Sequence, residues 1–359
     1  MEKSTRILVI NPGSTSTKIA VYMNGNVVFL KTIRHSVDEL SKFKKITDQY
    51  EYRKKIILDE LKNADIRLDL IRIVMGRGGL VNPIPAGVYE VNETMKNDLL
   101  ENKQSEHASN LGALIADDIA KQLPSAKAYI ADPVVVDEME PIARFSGHPL
   151  FKRVSIFHAL NQRAIARVHA KSINKKYEDL NLIVAHLGGG ISVGVHRKGR
   201  AVDVNQALDG DGPISPERSG TLPTGSLLKM AYSGEYTYDE MKSMVTGKGG
   251  LFAYTGLNDA YEVEKAAING DQKSLEVMEA MAYQTAKEIG AFSTVVNGDV
   301  DAILITGGMA NSKWFTNMII EHVHKIAPVY IYPGEDEMRA LAENAEMVLN
   351  GEIVPKEYK

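Results

Sequence analysis

Three loops of small residues, each following an apolar run, are the places where this sequence could do chemistry. ILVI (7–10) leads into Asn11-Pro-Gly-Ser-Thr-Ser-Thr-Lys18, LIVA (182–185) into His186-Leu-Gly-Gly-Gly190, and DAILIT (301–306) into Gly307-Gly-Met-Ala-Asn311. Loops without bulky side chains let backbone N–H groups come close to phosphate oxygens. The first loop adds an amide, hydroxyls at Ser14 and Ser16 and the ammonium of Lys18. The second adds an imidazole at His186 beside Gly188, Gly189 and Gly190. The third ends a predicted strand and opens a helix, as a nucleotide-binding loop would. One such loop is often only a turn; three in one chain point to phosphate. None matches G-x-x-x-x-G-K-[ST] or G-x-G-x-x-G, which disfavours a P-loop or a Rossmann site.

Charged and imidazole side chains near these loops extend the set. Arg77 stands in Met-Gly-Arg-Gly-Gly and Arg218 in Pro-Glu-Arg-Ser-Gly. A guanidinium between small residues can present its fork to a carboxylate or phosphoryl group, although an arginine in a turn is more often simply exposed. His158 opens a helix after Val-Ser-Ile-Phe157, and helix N-termini attract anions. Asp132 ends a strand ahead of Pro133, where a carboxylate can hold Mg²⁺ or merely cap a turn. Glu335-Asp-Glu337 is a second metal-facing candidate, or the acidic first turn of the last helix. There is no H-x-x-x-H spacing and no G-x-S-x-G elbow, which count against a transition-metal site and a serine hydrolase.

The chain of 359 residues has no cysteine, so thiolate nucleophiles, Fe–S clusters, disulfides and the usual structural zinc sites are excluded together. A net charge of −4 and a pI near 6.2 leave no electrostatic footprint for nucleic acid or an anionic membrane. The opening segment is too polar for a signal peptide, and no apolar run approaches the ~18 residues of a membrane span. These features predict a soluble cytoplasmic protein.

At roughly 150 residues per domain the length predicts two domains. Asn24-Gly25 between apolar runs signals a hairpin, and Lys198-Gly199 holds the same place after the second loop. Laying Asn11 on His186 keeps strand, glycine loop, strand and turn almost in step, a candidate duplication offset by 175 residues. Helical spacing predicts helices over 105–123, 158–177, 273–297 and 336–350, with strands at 128–132, 301–306 and 329–332. Strands alternating with helices, plus hairpins, predict α/β architecture with mixed sheets. No Pro-, Gly- or Ser-rich linker separates the halves, so two domains facing each other across a cleft are expected.

With these residues in order, the chain resembles the acetate and butyrate kinase family, within the superfamily of acetate kinases, sugar kinases, Hsp70 and actin. The resemblance rests on Asn-x-Gly-Ser-x-Ser-x-Lys at 11–18 and His-Leu-Gly-x-Gly at 186–190, and extends in consistent order from about residue 6 to about residue 350. Gly189, where acetate kinases carry asparagine, and the short loop Gly76-Arg-Gly-Gly79 look like the butyrate and branched-chain carboxylate kinase branch. The resemblance implies two duplicated RNase H-like (actin-like ATPase) domains with mixed sheets flanked by helices around a nucleotide cleft. It places the first domain at 1–135 plus 338–359 and the second, with the adenosine-binding loop, at 136–337.

Position by position, it implies catalytic roles for Arg77, Asp132, His158 and Arg218. Asn11, Ser14, Ser16, Lys18, His186 and Gly188 to Gly190 would contact phosphates, and Asp259, Gly307, Gly308 and Asn311 would serve the nucleotide side. Asn11, Asp132 and Glu337 would face Mg²⁺, with Asp336 the neighbouring alternative to Glu337. The implied cofactors are ATP or ADP and Mg²⁺; the implied partners are a short-chain carboxylate or its acyl phosphate, and a second copy of the chain in a homo-oligomer. Phe157, beside His158, would line an apolar acyl pocket, and nucleotide would close the cleft. A kinase for acetate or propionate, a sugar kinase using Asp132 as base, and an actin- or Hsp70-like interaction protein are the competing readings.

Overall fold

The computed structural model describes residues 5–101 and 106–359. Residues 1–4, in the opening segment, and Ser105, at the head of the helix expected over 105–123, lie outside the described residues. The chain forms two compact units, Met1–Val136 with Asp336–Lys359, and Asp137–Glu335. Its strands in chain order are β1 (Arg6–Pro12), β2 (Ser16–Met23), β3 (Asn26–Arg34), β4 (Ile71–Arg77), β5 (Val88–Glu90), β6 (Lys127–Ala131), β7 (Asn181–Leu187), β8 (Ile191–Arg197), β9 (Arg200–Val204), β10 (Ala302–Gly307), β11 (Val329–Pro333) and β12 (Lys356–Glu357).

The first unit is a mixed sheet in the order β12-β5-β6-β4-β1-β2-β3, and the second a mixed sheet in the order β11-β10-β7-β8-β9. Within them, β6-β4-β1-β2-β3 and β11-β10-β7-β8-β9 repeat one topology. β4 and β10 run parallel to the first strand of each half, while the next two strands are antiparallel. The repeat extends to detail. Asn24 and Gly25, and Lys198 and Gly199, all have positive φ, as a type I′ hairpin requires. Each of these hairpins also carries a register shift, at Val21/Tyr22 and at Val195/His196. The expected loops are shorter than the sequence suggested, because strand pairing runs through Asn11–Pro12 and His186–Leu187. Only Gly13–Thr15 and Gly188–Gly190 remain outside the strands.

Burial explains why the central strands read as continuous apolar runs. Every residue of β7 is buried. Ile183, Ala185 and Leu187 belong to the core with the long helix Gln272–Ser293, whereas Leu182 and Val184 join Ala166 and Ala170 of the helix Ala159–Ser172. A strand covered on both faces cannot alternate polar with apolar. In the first unit the helix Asn110–Lys121 crosses β4 so closely that a Cβ on Gly76 would meet the Gly112 backbone, and one on Gly112 the Arg77 backbone. This fixes the end of β4, and with it Arg77. The last helix, Glu337–Leu349, packs on β1 and β4. Among the described residues, no helix is long and apolar enough to cross a membrane.

Candidate active site

In the first unit, β1, β4 and β6 are parallel neighbours, and Asn11, Arg77 and Asp132 stand at or just beyond their carboxyl ends. That is where open α/β sheets bind ligands. Arg77 makes a fork-on-fork pair with Glu337, Nη1 to Oε2 and Nη2 to Oε1 both at 2.8 Å. Asn11 completes the cluster: its Nδ2 donates to Glu337 Oε2 at 2.7 Å and its Oδ1 accepts from Arg77 at 3.3 Å. Asp336 is turned elsewhere, accepting from the Arg339 N–H at 2.9 Å as the cap of the last helix. Asp132 is 1% exposed, in a left-handed conformation (φ 37°), and its Oδ1 accepts from the Gly87 N–H at 2.8 Å. Such a backbone is costly for a residue with a side chain and persists only where its surroundings enforce it.

The β1–β2 loop is held from beneath by a residue that the motif does not contain. Arg53, 1% exposed, donates to the carbonyls of Gly13 (2.7 Å), Ser14 (3.0 Å) and Ser16 (3.1 Å) and to Thr17 Oγ1 (3.1 Å). Loss of hydration lowers its pKa to about 10, still far above neutrality. With the loop carbonyls turned inward to Arg53, Ser14 and Lys18 stay exposed and Ser16 half-buried. Lys18 lies directly across from Asn11, on the same face of the sheet.

The second unit gathers the other candidates. His158 stacks on His186 with ring centroids 3.8 Å apart and planes 15° from parallel. His158 Nδ1 meets Ser192 Oγ at 2.8 Å; His186 Nδ1 meets Asn161 Oδ1 at 2.8 Å, and its Nε2 lies 3.2 Å from Glu335 Oε2. Arg218 donates to the Ala207 carbonyl and packs against Gly190, where a Cβ would strike the guanidinium. Burial lowers its pKa from the usual arginine value, the cost of holding this cation away from water. A cavity of about 750 Å³ is lined by Gly188, Gly189, Asp259, Gly308, Asn311 and Glu335, with Met278, Met309 and Phe315 as apolar walls. That volume and mixed lining suit a nucleotide-sized ligand. Asp259 also caps the helix Ala260–Ile268 through the Tyr261 N–H. Gly307 sits behind the cavity at φ 94°, exchanging backbone hydrogen bonds with Gly334.

A family model, the acetokinase family, matches residues 150–344. Butyrate kinase 2 of Clostridium acetobutylicum is 53% identical over 354 residues, 99% of each chain. This chain belongs to the acetokinase family. Solved acetokinase-like structures share its fold at low identity. The acetate kinase of Porphyromonas gingivalis superposes with a TM-score of 0.80 at 18% identity, covering 96% of this chain and 100% of that one. A propionate kinase of Francisella tularensis gives 0.73, also at 18% identity, covering 95% and 98%.

Against the site expected of the acetokinase family, the structure brings Asn11, Arg77 and Glu337 into contact, and His158 with His186. It also gathers Gly188, Gly189, Asp259, Gly308 and Asn311 around one cavity. Phe157 is buried, at 2% exposure. Sequence reasoning missed Arg53, Asn161, Gln162 and Ser192 as side chains that hold the site. Ser192 had one signal, its place in the second hairpin across from His186. Arg53, within a helix far from the loop in sequence, had none.

Proposed function

We propose that this chain catalyses reversible transfer of the γ-phosphoryl group of ATP to a short-chain carboxylate, with butyrate or a branched-chain analogue as acceptor, giving ADP and an acyl phosphate. The observation that carries the reading is 53% identity over 99% of the chain to a butyrate kinase, and the chemistry of the two residue sets supports it. A carboxylic acid of ordinary pKa, about 4 to 5 by analogy with glutamate, is already ionised at neutral pH, so the nucleophile needs no base. It must approach another anion in line, and this asks for positioning and positive charge. Arg77 and Arg218 orient the carboxylate and neutralise the equatorial phosphoryl oxygens, and His158 donates to the same oxygens. Backbone N–H groups at Gly189 and Gly190 and at Ser14 and Thr15 of the β1–β2 loop, with the Ser14 and Ser16 hydroxyls and Lys18, hold the phosphate chain, Gly188 giving it room to approach. The cavity bounded by Asp259, Gly308 and Asn311, with Gly307 behind it, takes the adenosine.

Asn11 and Glu337, with Asp132 at the neighbouring strand end, form an all-oxygen donor set that fits Mg²⁺. Among the described residues no three His, Asp or Glu side chains are grouped to hold a metal by themselves, and Mg²⁺ binds in that partial way, through one or two carboxylates plus substrate phosphates. When bound, the ion would supply positive charge that neutralises the phosphate chain. Arg77 now occupies both Glu337 oxygens, so it and a cation compete for that carboxylate. The enzyme is placed in the cytoplasm, as a homo-oligomer, on this same reading; light scattering of the purified protein reads the assembly.

The test is acyl-hydroxamate formation with Mg-ATP across linear and branched acids of two to five carbons. Turnover greatest with the four-carbon or branched acids is expected. A clear preference for acetate would move the enzyme to the acetate and propionate kinases, and no turnover with any acid would favour a nucleotide-dependent interaction protein.

A further inference from the structure

Behind His158 lies a file of buried polar side chains that phosphoryl transfer does not itself require. Ser192, Gln162 and His196 are 0% exposed and Tyr177 is 3% exposed, so water does not compete for their hydrogen bonds. The direction of every bond in the file follows from one acceptor, the Ser192 backbone carbonyl. Gln162 Nε2 lies 3.1 Å from that carbonyl and 2.9 Å from Ser192 Oγ. A carbonyl only accepts, so the amide must turn its NH₂ this way and its Oε1 toward His196 Nε2, 2.9 Å distant. His196 therefore carries its proton on Nε2 and accepts at Nδ1 from the Tyr177 hydroxyl, 2.6 Å away. Burial, aided by the Arg163 charge, lowers the His196 pKa to about 3, which keeps that ring neutral.

The same count fixes the last bond. Ser192 Oγ accepts from Gln162 Nε2 and, at 3.4 Å, from the His158 backbone N–H. Both of its acceptor sites are then used, and its hydrogen is left to donate to His158 Nδ1 at 2.8 Å. We infer that Ser192, oriented by Gln162, is a positioning residue that holds His158 as the neutral tautomer with its proton on Nε2, the nitrogen that donates to the transferred phosphoryl group. The inference rests on the role proposed above for His158. An imidazolium would turn an Nδ1–H onto a hydroxyl whose acceptor sites are occupied. A neutral His158 avoids that cost. Which nitrogen carries the proton is set by the partner of the other, as in metal sites where outer partners orient imidazoles.

The test is ¹⁵N–¹H correlation of the histidine rings in the full-length protein at neutral pH, with His158 assigned by its loss in His158→Gln. The expected spectrum shows His158 Nδ1 as an unprotonated nitrogen and Nε2 as a protonated one. In Ser192→Ala the two shifts move toward an average of tautomers. Turnover then falls about 10- to 100-fold, the range for losing an outer partner, with the KM values for acid and Mg-ATP little changed. Ser192→Thr, which keeps the hydroxyl, restores the wild-type ring shifts and most of the turnover. A protonated Nδ1 in the wild type overturns the inference, as does Ser192→Ala with unaltered ring shifts and turnover. The wild-type spectrum stands even if a variant fails to fold. The expected tautomer in a protein that phosphorylates no acid would support the inference while refuting the proposed activity.

Discussion

Asp336 and Glu337 are adjacent carboxylates with separate tasks. Asp336 satisfies a helix N–H, whereas Glu337 carries the pair with Arg77 and the bond from Asn11. Asp336→Ala should therefore cost about 0.5–2 kcal/mol in a urea unfolding midpoint, the usual loss of an N-cap, with the Mg²⁺ dependence of turnover unchanged. Glu337→Gln keeps the shape but removes the charge; it should raise the Mg²⁺ concentration needed for half-maximal turnover at least tenfold in a metal titration. Arg218 is the other residue whose charge has a predicted task. Its guanidinium is half-buried against Gly190, and the neighbouring Glu217 charge only partly offsets the loss of hydration. Arg218→Ala should lose about 10² to 10³ in kcat, the cost of one charge-assisted donor, while circular dichroism and the thermal midpoint stay near wild type. Near-normal turnover would remove Arg218 from the mechanism.

At the scale of elements, the site depends on strand ends and tight crossings more than on long side chains. β10 ends at Gly307, whose φ of 94° and closeness to the Leu187 backbone leave no room for a Cβ. Gly307→Ala should cost at least about 1–3 kcal/mol from backbone strain alone, read as a lower denaturation midpoint, and should weaken ATP binding by displacing Gly308 and Asn311. Hairpins and helices were legible because Asn24-Gly25 and Lys198-Gly199 demand positive φ and because apolar residues recur at helical spacing. Where neighbours decide, legibility ended. The helix expected over 158–177 stops at Ser172, and Asn174 beyond it takes a positive φ. The loops at 11–17 and 186–190 shrink because pairing across the hairpin continues through residues that look like loop.

For the molecule as a whole, the two sheets are variants of one topology, and each half ends its first strand with a polar side chain, Asn11 or His186, beside a glycine turn. Global stability should report the buried histidines of this frame. His196 falls from 6.5 to about 3, and His35, buried beside Arg53, from 6.5 to about 4. Both bind a proton more readily when unfolded, so their contribution is complete above pH 6.5 and is lost as pH falls below it. Glu288, raised by burial and by Asp211 from 4.5 to about 7, acts oppositely, since its folded form gains a proton first. The thermal midpoint of wild type should therefore drop more steeply between pH 6.5 and 4 than that of His196→Gln. Parallel curves for the two proteins would mean that His196 is not held neutral.

The sequence by itself determined what local chemistry and periodicity can specify: the three small-residue loops, the α/β alternation, the duplicated hairpins and the exclusion of sulfur chemistry. It also marked Asn11, Arg77, His158 and Arg218, whose types fit phosphate or carboxylate. Tertiary structure alone decided which of these side chains touch. Glu337 meets Arg77 across 260 positions of the chain, and Arg53 reaches the Gly13 carbonyl across 40. Ser192 and Gln162 read as ordinary core polar residues until folding sets them behind His158. Such partnerships depend on strand register and helix placement, which the summed packing of both sheets fixes, and no short stretch of sequence carries that sum.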